Sequence, residues 1–314
     1  MSRCKNTDFN KGRCYYFCPS NSIAMIYLML SVVCSVLLGF IFKLFQRFGI
    51  DSFQAIIFNY FTCVCCGTIQ MGRFPVSAAD FDSPWMPYSL ILGLVFISGF
   101  NGAALTVRFF GVTVSQIMQK MSILMTVPFA IFAYGESSGW GKITGFLLAL
   151  ASIVLVNLPS EKKNEGKESR SGVLWWIPVL TWALSGTLEV LFIRVQKEHY
   201  AEVGDPSFIT AVFGTAGLTG ILIAAVGWFS GRMTFSWRNV AGGIVLGIPN
   251  YGSMLFLLMA LGGGLEGSFV FPVVNVGVIA VTTIGAVWLF HERLSGINWL
   301  GIALAIAAIA LISL

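Results

Sequence analysis

Long apolar runs alternate with short polar breaks along almost the whole chain. Ten runs stand out, at 23–43, 52–71, 87–107, 112–134, 139–158, 173–195, 206–229, 239–261, 265–290 and 295–314. Each has about the 20 residues that a helix needs to cross the hydrocarbon core of a bilayer. The clearest breaks run from Lys43 to Asp51, Arg73 to Pro87, Ser160 to Gly172, Gln196 to Pro206 and Ser230 to Arg238. Lipid offers no partner to an unpaired backbone group, so runs of this kind fold as helices. The short alternating strands of a β-barrel do not appear. The pattern therefore predicts an all-α, polytopic membrane protein with ten transmembrane helices.

The spacing of the runs also predicts an internal organisation. Residues 1–22 form a polar tail, and 159–172 form a hydrophilic linker that contains Ser160–Ser171 (SEKKNEGKESRS) and divides five runs from five. The two units are then 23–158 and 173–314. Near the end of each unit a Glu closes a long run and a Gly follows nine residues later in the final run: Glu136 with Gly145, and Glu292 with Gly301. Lys43 closes the first run much as Arg194 closes the sixth. Five is odd, so a second unit of the same design enters the membrane upside down. Inverted repeats are typical of carriers, whose site lies near the bilayer midplane between the units. The first apolar run is too long for the core of a removable signal peptide, about 7–15 residues. Met25 is an alternative start.

Composition supports the membrane reading. Apolar residues make up 56% and charged residues 11% of the 314, with mean hydropathy +0.82. A soluble domain has about 25% charged residues. The net charge of +5 is dispersed, so no nucleic-acid partner is expected. The seven cysteines all lie in the first quarter of the chain; Cys63, Cys65 and Cys66 sit within an apolar run and read as small fillers. Cys14 and Cys18 have metal or disulfide spacing but no matching pair nearby. No metal or other cofactor is expected.

Polar groups inside apolar runs are costly and call for a reason. Lys120 stands about 12 Å into the fourth run at 1.5 Å per residue, with Gln116 one turn earlier and Gln119 adjacent. It reads either as a cavity residue that attracts a carboxylate or as a snorkelling side chain. Glu189, Arg194 and Glu266 read as an interfacial ion-pair set or as a proton-coupling group, with either Glu as the partner of Arg194. Counting along the runs places Lys120 and Glu189 toward opposite faces, so no direct pair is expected. Asn59, Asn101, Asn250 and Asn275 recur at mid-depth, either lining a wet path or bonding neighbouring helices. Pro249-Asn250-Tyr251-Gly252-Ser253 reads as a helix interruption, and Pro272 with Asn275 and Gly277 as a second. The predicted substrate set is thus Lys120, Gln116, Gln119, Asn59, Asn101, Asn250, Tyr251 and Asn275. Small residues at helical spacing, Gly141-Gly145-Ala149 and Gly301-Ala305, predict close packing of the fifth and tenth runs, within one chain or across a homodimer.

The paired Glu–Gly blocks resemble the modules of the EamA-type carriers of the drug/metabolite transporter superfamily. So does the stretch Ala104-Leu105-Thr106-Val107-Arg108 followed by Val112-Thr113-Val114-Ser115. The resemblance covers residues 23–314. It implies ten helices in inverted repeats, cytoplasmic termini, and export or exchange of small metabolites. Loop Lys and Arg beyond the tail are more numerous on the side away from the termini, which leans the other way, and orientation stays open. The expected function is a secondary carrier of an amino acid-like or drug-like metabolite, working by alternating access in a cell membrane, the inner one in a bacterium. A cation channel or carrier on the same scaffold is the alternative, and a membrane-embedded enzyme a weaker one. With no Gly-x4-Gly-Lys-Ser/Thr loop, the chain does not drive transport through that type of nucleotide site. HExxH, GxSxG and paired-Asp motifs are also absent, and no enzyme activity is expected.

Overall fold

The structure is a computed structural model that describes residues 21–110, 112–158, 176–231, 233–290 and 294–312. Most of the polar tail, with Cys4, Cys14 and Cys18, all of the linker, and His291 and Glu292 lie outside the described residues. Everything regular among the described residues is helical. In order the helices are α1 (Asn21–Phe48), α2 (Ser52–Met71), α3 (Met86–Phe110), α4 (Val112–Lys120), α5 (Ile123–Tyr134), α6 (Trp140–Asn157), α7 (Trp176–Lys197), α8 (Pro206–Phe229), α9 (Trp237–Gly262), α10 (Gly267–Phe290) and α11 (Gly296–Ile312). Nine stretches among the described residues are long and apolar enough to cross a membrane, with α4 and α5 together making one of them. The last helix, Gly296–Ile312, is apolar but shorter. These helices are consistent with an integral, multi-pass membrane protein.

Local chemistry sets the helix ends. Asp51 caps α2 by accepting from Gln54 N at 2.8 Å, and Gly72 ends it in the left-handed conformation at φ 67°. Asp205 caps α8, with Pro206 at its first position. Gly135 ends α5 at φ 63°. A non-glycine residue at such φ values would be strained. Trp140, Trp176 and Trp237 each open a helix, Trp288 nearly closes one, and all four are exposed. Tryptophans at helix ends suit the membrane–water interface.

Small residues set the packing. α9 lies so close to α2 that a Cβ on Gly243 would stand 2.6 Å from the Ala55 carbonyl, and one on Gly247 2.9 Å from that of Asn59. α6 and α11 close on each other in the same way: a Cβ on Gly145 would meet the Ala308 carbonyl at 2.9 Å, and one on Gly301 the Val156 nitrogen at 2.7 Å. The Asn298 side-chain amide donates to the carbonyls of Leu155, Val156 and Leu158 at the end of α6. The small-residue faces of the fifth and tenth runs thus pack on one another inside one chain.

The helix interruptions fall elsewhere than expected. α9 runs unbroken through Pro249 and α10 through Pro272. Each proline removes one N–H, and membrane helices tolerate that when neighbouring groups take up the freed carbonyls. The carbonyl that Pro249 leaves without its helical donor is that of Val245; nearby, Cys63 donates to Gly247 O and Ser31 to Ser253 O. The real break lies in the fourth run, at Met121–Ser122 between α4 and α5. There Leu124 N bonds Met121 O, a tightened i−3 pattern, and the Trp182 indole donates to the same carbonyl at 3.0 Å.

Candidate functional site

Lys120 is the last residue of α4, directly before that break. Its ammonium donates to Asn275 Oδ1 on α10 at 3.1 Å. The Asn275 amide in turn donates to Glu189 Oε1 on α7 at 2.9 Å. Ser122 donates to the same oxygen at 2.8 Å, and Thr126 to Oε2 at 2.6 Å. Four helices therefore meet on one carboxylate, with an amide bridging it to a cation. Lys120 and Glu189, set toward opposite faces by counting along the runs, form no direct bond but are linked through Asn275. Ser122 and Thr126 stand one helical turn apart and face Glu189 together. Sequence reading passed over both, because hydroxyls in a membrane helix more often bond their own backbone.

Beside this network lies a cavity of about 300 Å³. Its wall draws on α1, α2, α3, α4, α7 and α9, near mid-length of α3, α7 and α9 and toward the α1–α2 turn in the other two long helices. Of the predicted substrate residues, Asn59, Gln119 and Asn250 line it. The Asn250 amide donates to Asn59 Oδ1 at 3.1 Å. Tyr60 and Ser185, which the sequence did not single out, line it as well. Ser185 stands one turn before Glu189 on α7, so the same helix carries both the cavity wall and the buried carboxylate.

The other predicted residues are placed differently. Lys120 and Asn275 are not among the cavity's lining residues, and their polar groups are engaged in the Glu189 network. Gln116 is exposed. The Asn101 side chain donates to its own helix at Ile97 O. Tyr251 donates to Gln70 Oε1 at 2.7 Å. On α3, Phe96 and Phe100 rather than the adjacent Asn101 contribute to the cavity wall.

The expected pairing of Arg194 is also corrected. Arg194 binds Glu198 at 3.2 Å and sits over the Tyr88 ring at 5.7 Å. The i,i+4 spacing on its own helix favours this pair over the predicted ones. Glu266 instead pairs with Lys142 from the start of α6 and accepts from Ser137 N and Oγ. Lys142 donates as well to Ser268 Oγ at 2.8 Å. Glu136 caps the start of α10, accepting from Gly267 N at 2.9 Å and Ser268 N at 2.8 Å, and binds Lys197 Nζ at 3.0 Å. These contacts tie the α5–α6 turn, the end of α7 and the α9–α10 turn together on one face. Burial pushes the Glu136 carboxyl up, but the bonds from Ser268, Lys197 and Gly267 outweigh it and leave its pKa below the ordinary value. Glu266 behaves alike: burial raises it, and Lys142 and Ser137 bring it below the ordinary value.

No family model matches the chain. An uncharacterized protein of Haemophilus influenzae is 29% identical over 287 residues, which cover 90% of this chain and 95% of that protein. A crystal structure that carries no functional description matches with TM-score 0.71 over 93% of this chain and 96% of its own, at 14% identity. At that identity the likeness concerns the fold alone. It extends over nearly all of both chains, so the helical arrangement described above is one that a solved protein shares.

Proposed function

We propose that the chain is a secondary carrier that moves a small organic metabolite by alternating access. In this reading it is a ten-span protein of two inverted five-helix repeats, akin to the EamA-type carriers, and resides in a cell membrane, the inner one in a bacterium. The observation that carries the proposal is the mid-membrane cavity built by helices of both halves, beside a buried Lys120–Asn275–Glu189 network at a broken helix. Buried charge inside a membrane protein is expensive and commonly marks a transport path. Broken helices at mid-depth are likewise a carrier feature.

The packing pattern supports the inverted repeat. Take α1, α2, α3, α4 with α5, and α6 as equivalents of α7, α8, α9, α10 and α11. The contact of α2 with α9 then exchanges with that of α8 with α3, and α1 on α9 exchanges with α7 on α3. The self-equivalent pairs, α2 with α8 and α6 with α11, also touch.

A working cycle follows from where the polar contacts lie. The cavity leans toward the face of the α1–α2 turn. The opposite face is tied shut by Lys142–Glu266 and Lys197–Glu136, each joining the first half to the second. Opening that face requires both ion pairs to part, and rocking about the central network then exposes the cavity to the other side. Glu189 and Lys120, both half-buried, bias the two states through their hydrogen bonds. The test is purified protein in liposomes, screened with labelled amino acids and related metabolites with and without a proton gradient. Saturable flux that falls in Lys120→Met and Glu189→Gln is expected. Absence of saturable flux for every solute removes the proposal.

A further inference from the structure

Among the described residues, the wall of the cavity carries no Asp, Glu, Lys, Arg or His side chain. The nearest charges are spoken for: the Lys120 ammonium is bonded to Asn275, and both Glu189 oxygens accept hydrogen bonds from neutral side chains. A charged solute in this cavity would shed water and meet no opposite charge, which is strongly unfavourable in a low-dielectric site.

What the wall does offer is neutral and unsatisfied. Asn59 accepts from Asn250 and Cys63 but gives its own amide hydrogens to no group among the described residues. Gln119 donates to Ser115, and its carbonyl oxygen accepts nothing among those residues. The hydroxyls of Tyr60 and Ser185 likewise have no hydrogen-bond partner among them, although both residues line the cavity. A donor, an acceptor and two groups that can act as either thus face the cavity, where a solute that matches them can replace water at each. The remaining wall is flat-sided hydrocarbon, with Phe42, Phe96 and Phe100 around the same space. Aromatic walls of this kind take planar rings in stacked or edge contacts. At about 30 Å³ per water, the volume equals roughly ten waters, which is ample for one substituted ring.

We infer that the cargo of this cavity is an uncharged planar solute carrying both hydrogen-bond donors and acceptors, such as a carboxamide on an aromatic or heteroaromatic ring. The inference rests on the carrier reading and narrows its substrate. It also turns away from a carboxylate bound at Lys120, because that ammonium is bonded to Asn275 and lies outside the cavity's lining.

Three probes of one shape and different charge separate the alternatives: benzamide, benzoate and benzamidinium. Their binding is measured by tryptophan fluorescence and thermal shift on the intact protein in nanodiscs at neutral pH, with no gradient. Benzamide is expected to bind at least tenfold more tightly than either ion. Ser185→Ala should weaken benzamide several-fold at unchanged melting temperature. Gln119→Glu, which places a carboxylate on the wall, should move the preference to benzamidinium by at least tenfold relative to benzamide. Benzoate or benzamidinium binding as well as benzamide overturns the inference, and so does the lack of saturable binding by all three. Because binding is read without flux, a protein that prefers benzamide but carries no solute removes the carrier reading and leaves this one standing. Carriage of charged solutes alone does the reverse.

Discussion

Replacing Lys120 by Met tests whether the Lys120–Asn275–Glu189 network holds the centre of the molecule together. Met keeps most of the apolar stem and deletes the charge. Asn275 Oδ1 then loses its donor at 3.1 Å, and the Glu189 carboxylate loses the cation it faces across the Asn275 amide. Removing one partner of a buried ion pair costs about 3–5 kcal/mol. Two features place this case at the low end. The amide separates the charges, and the carboxylate keeps its bonds from Ser122, Thr126 and Asn275. A loss of about 3 kcal/mol is therefore expected. Glu189→Gln removes the opposite charge at equal size, so Lys120→Met combined with Glu189→Gln should cost less than the two singles together, by about 1–2 kcal/mol of coupling. The assay is unfolding in dodecyl maltoside by increasing SDS, followed by tryptophan fluorescence. Arg194→Met is the control: its pair with Glu198 is exposed, and the expected loss is below about 1 kcal/mol. Additivity of the two network variants within about 0.5 kcal/mol would refute the reasoning.

Further expectations concern the packing, the break and the closed face. Gly247→Ala pushes a methyl against the Asn59 carbonyl and Thr62, and should destabilise by about 1–3 kcal/mol in the same SDS titration. Trp182→Phe keeps a ring but removes the indole donor to Met121 O at the α4–α5 break; Leu124 N still bonds that carbonyl, so the loss should be about 0.5–1.5 kcal/mol, with reduced flux in liposomes. Glu136 and Glu266 have pKa values held below ordinary in the folded state. Their contribution is complete above the unfolded glutamate value of about 4.3 and is lost as pH falls through the lower folded value. The melting temperature in detergent should therefore stay level from about pH 7 to 5 and drop below about 4, and the drop should be shallower in Glu136→Gln with Glu266→Gln.

The membrane nature of the chain was legible because it rests on composition and run length, which are properties of the sequence alone. The close-packing glycines at 145 and 301 were legible too, because small residues at helical spacing are a property of one helix, although which helix they meet is not. Individual costly residues were also visible: Lys120 and Glu189 stood out as charges within apolar runs. Their partners were not. Depth counted along a helix gives one coordinate, and the meeting of Lys120, Asn275 and Glu189 depends on how α4, α7 and α10 lean and which faces they turn inward. The same limit explains the proline error. A missing N–H at Pro249 is evident in the sequence, but whether the helix breaks depends on how its neighbours pack on it, here α1 and α2 against α9.

The chain by itself determined that the protein is helical, apolar on its outside and burdened with a few ionic groups that lipid will not hold. Only the tertiary structure decided which of those groups neutralise each other and which polar atoms are left facing an open space. The physical reason is that burial energies are summed along the chain, whereas hydrogen bonds and ion pairs act over about 3 Å between segments distant in sequence.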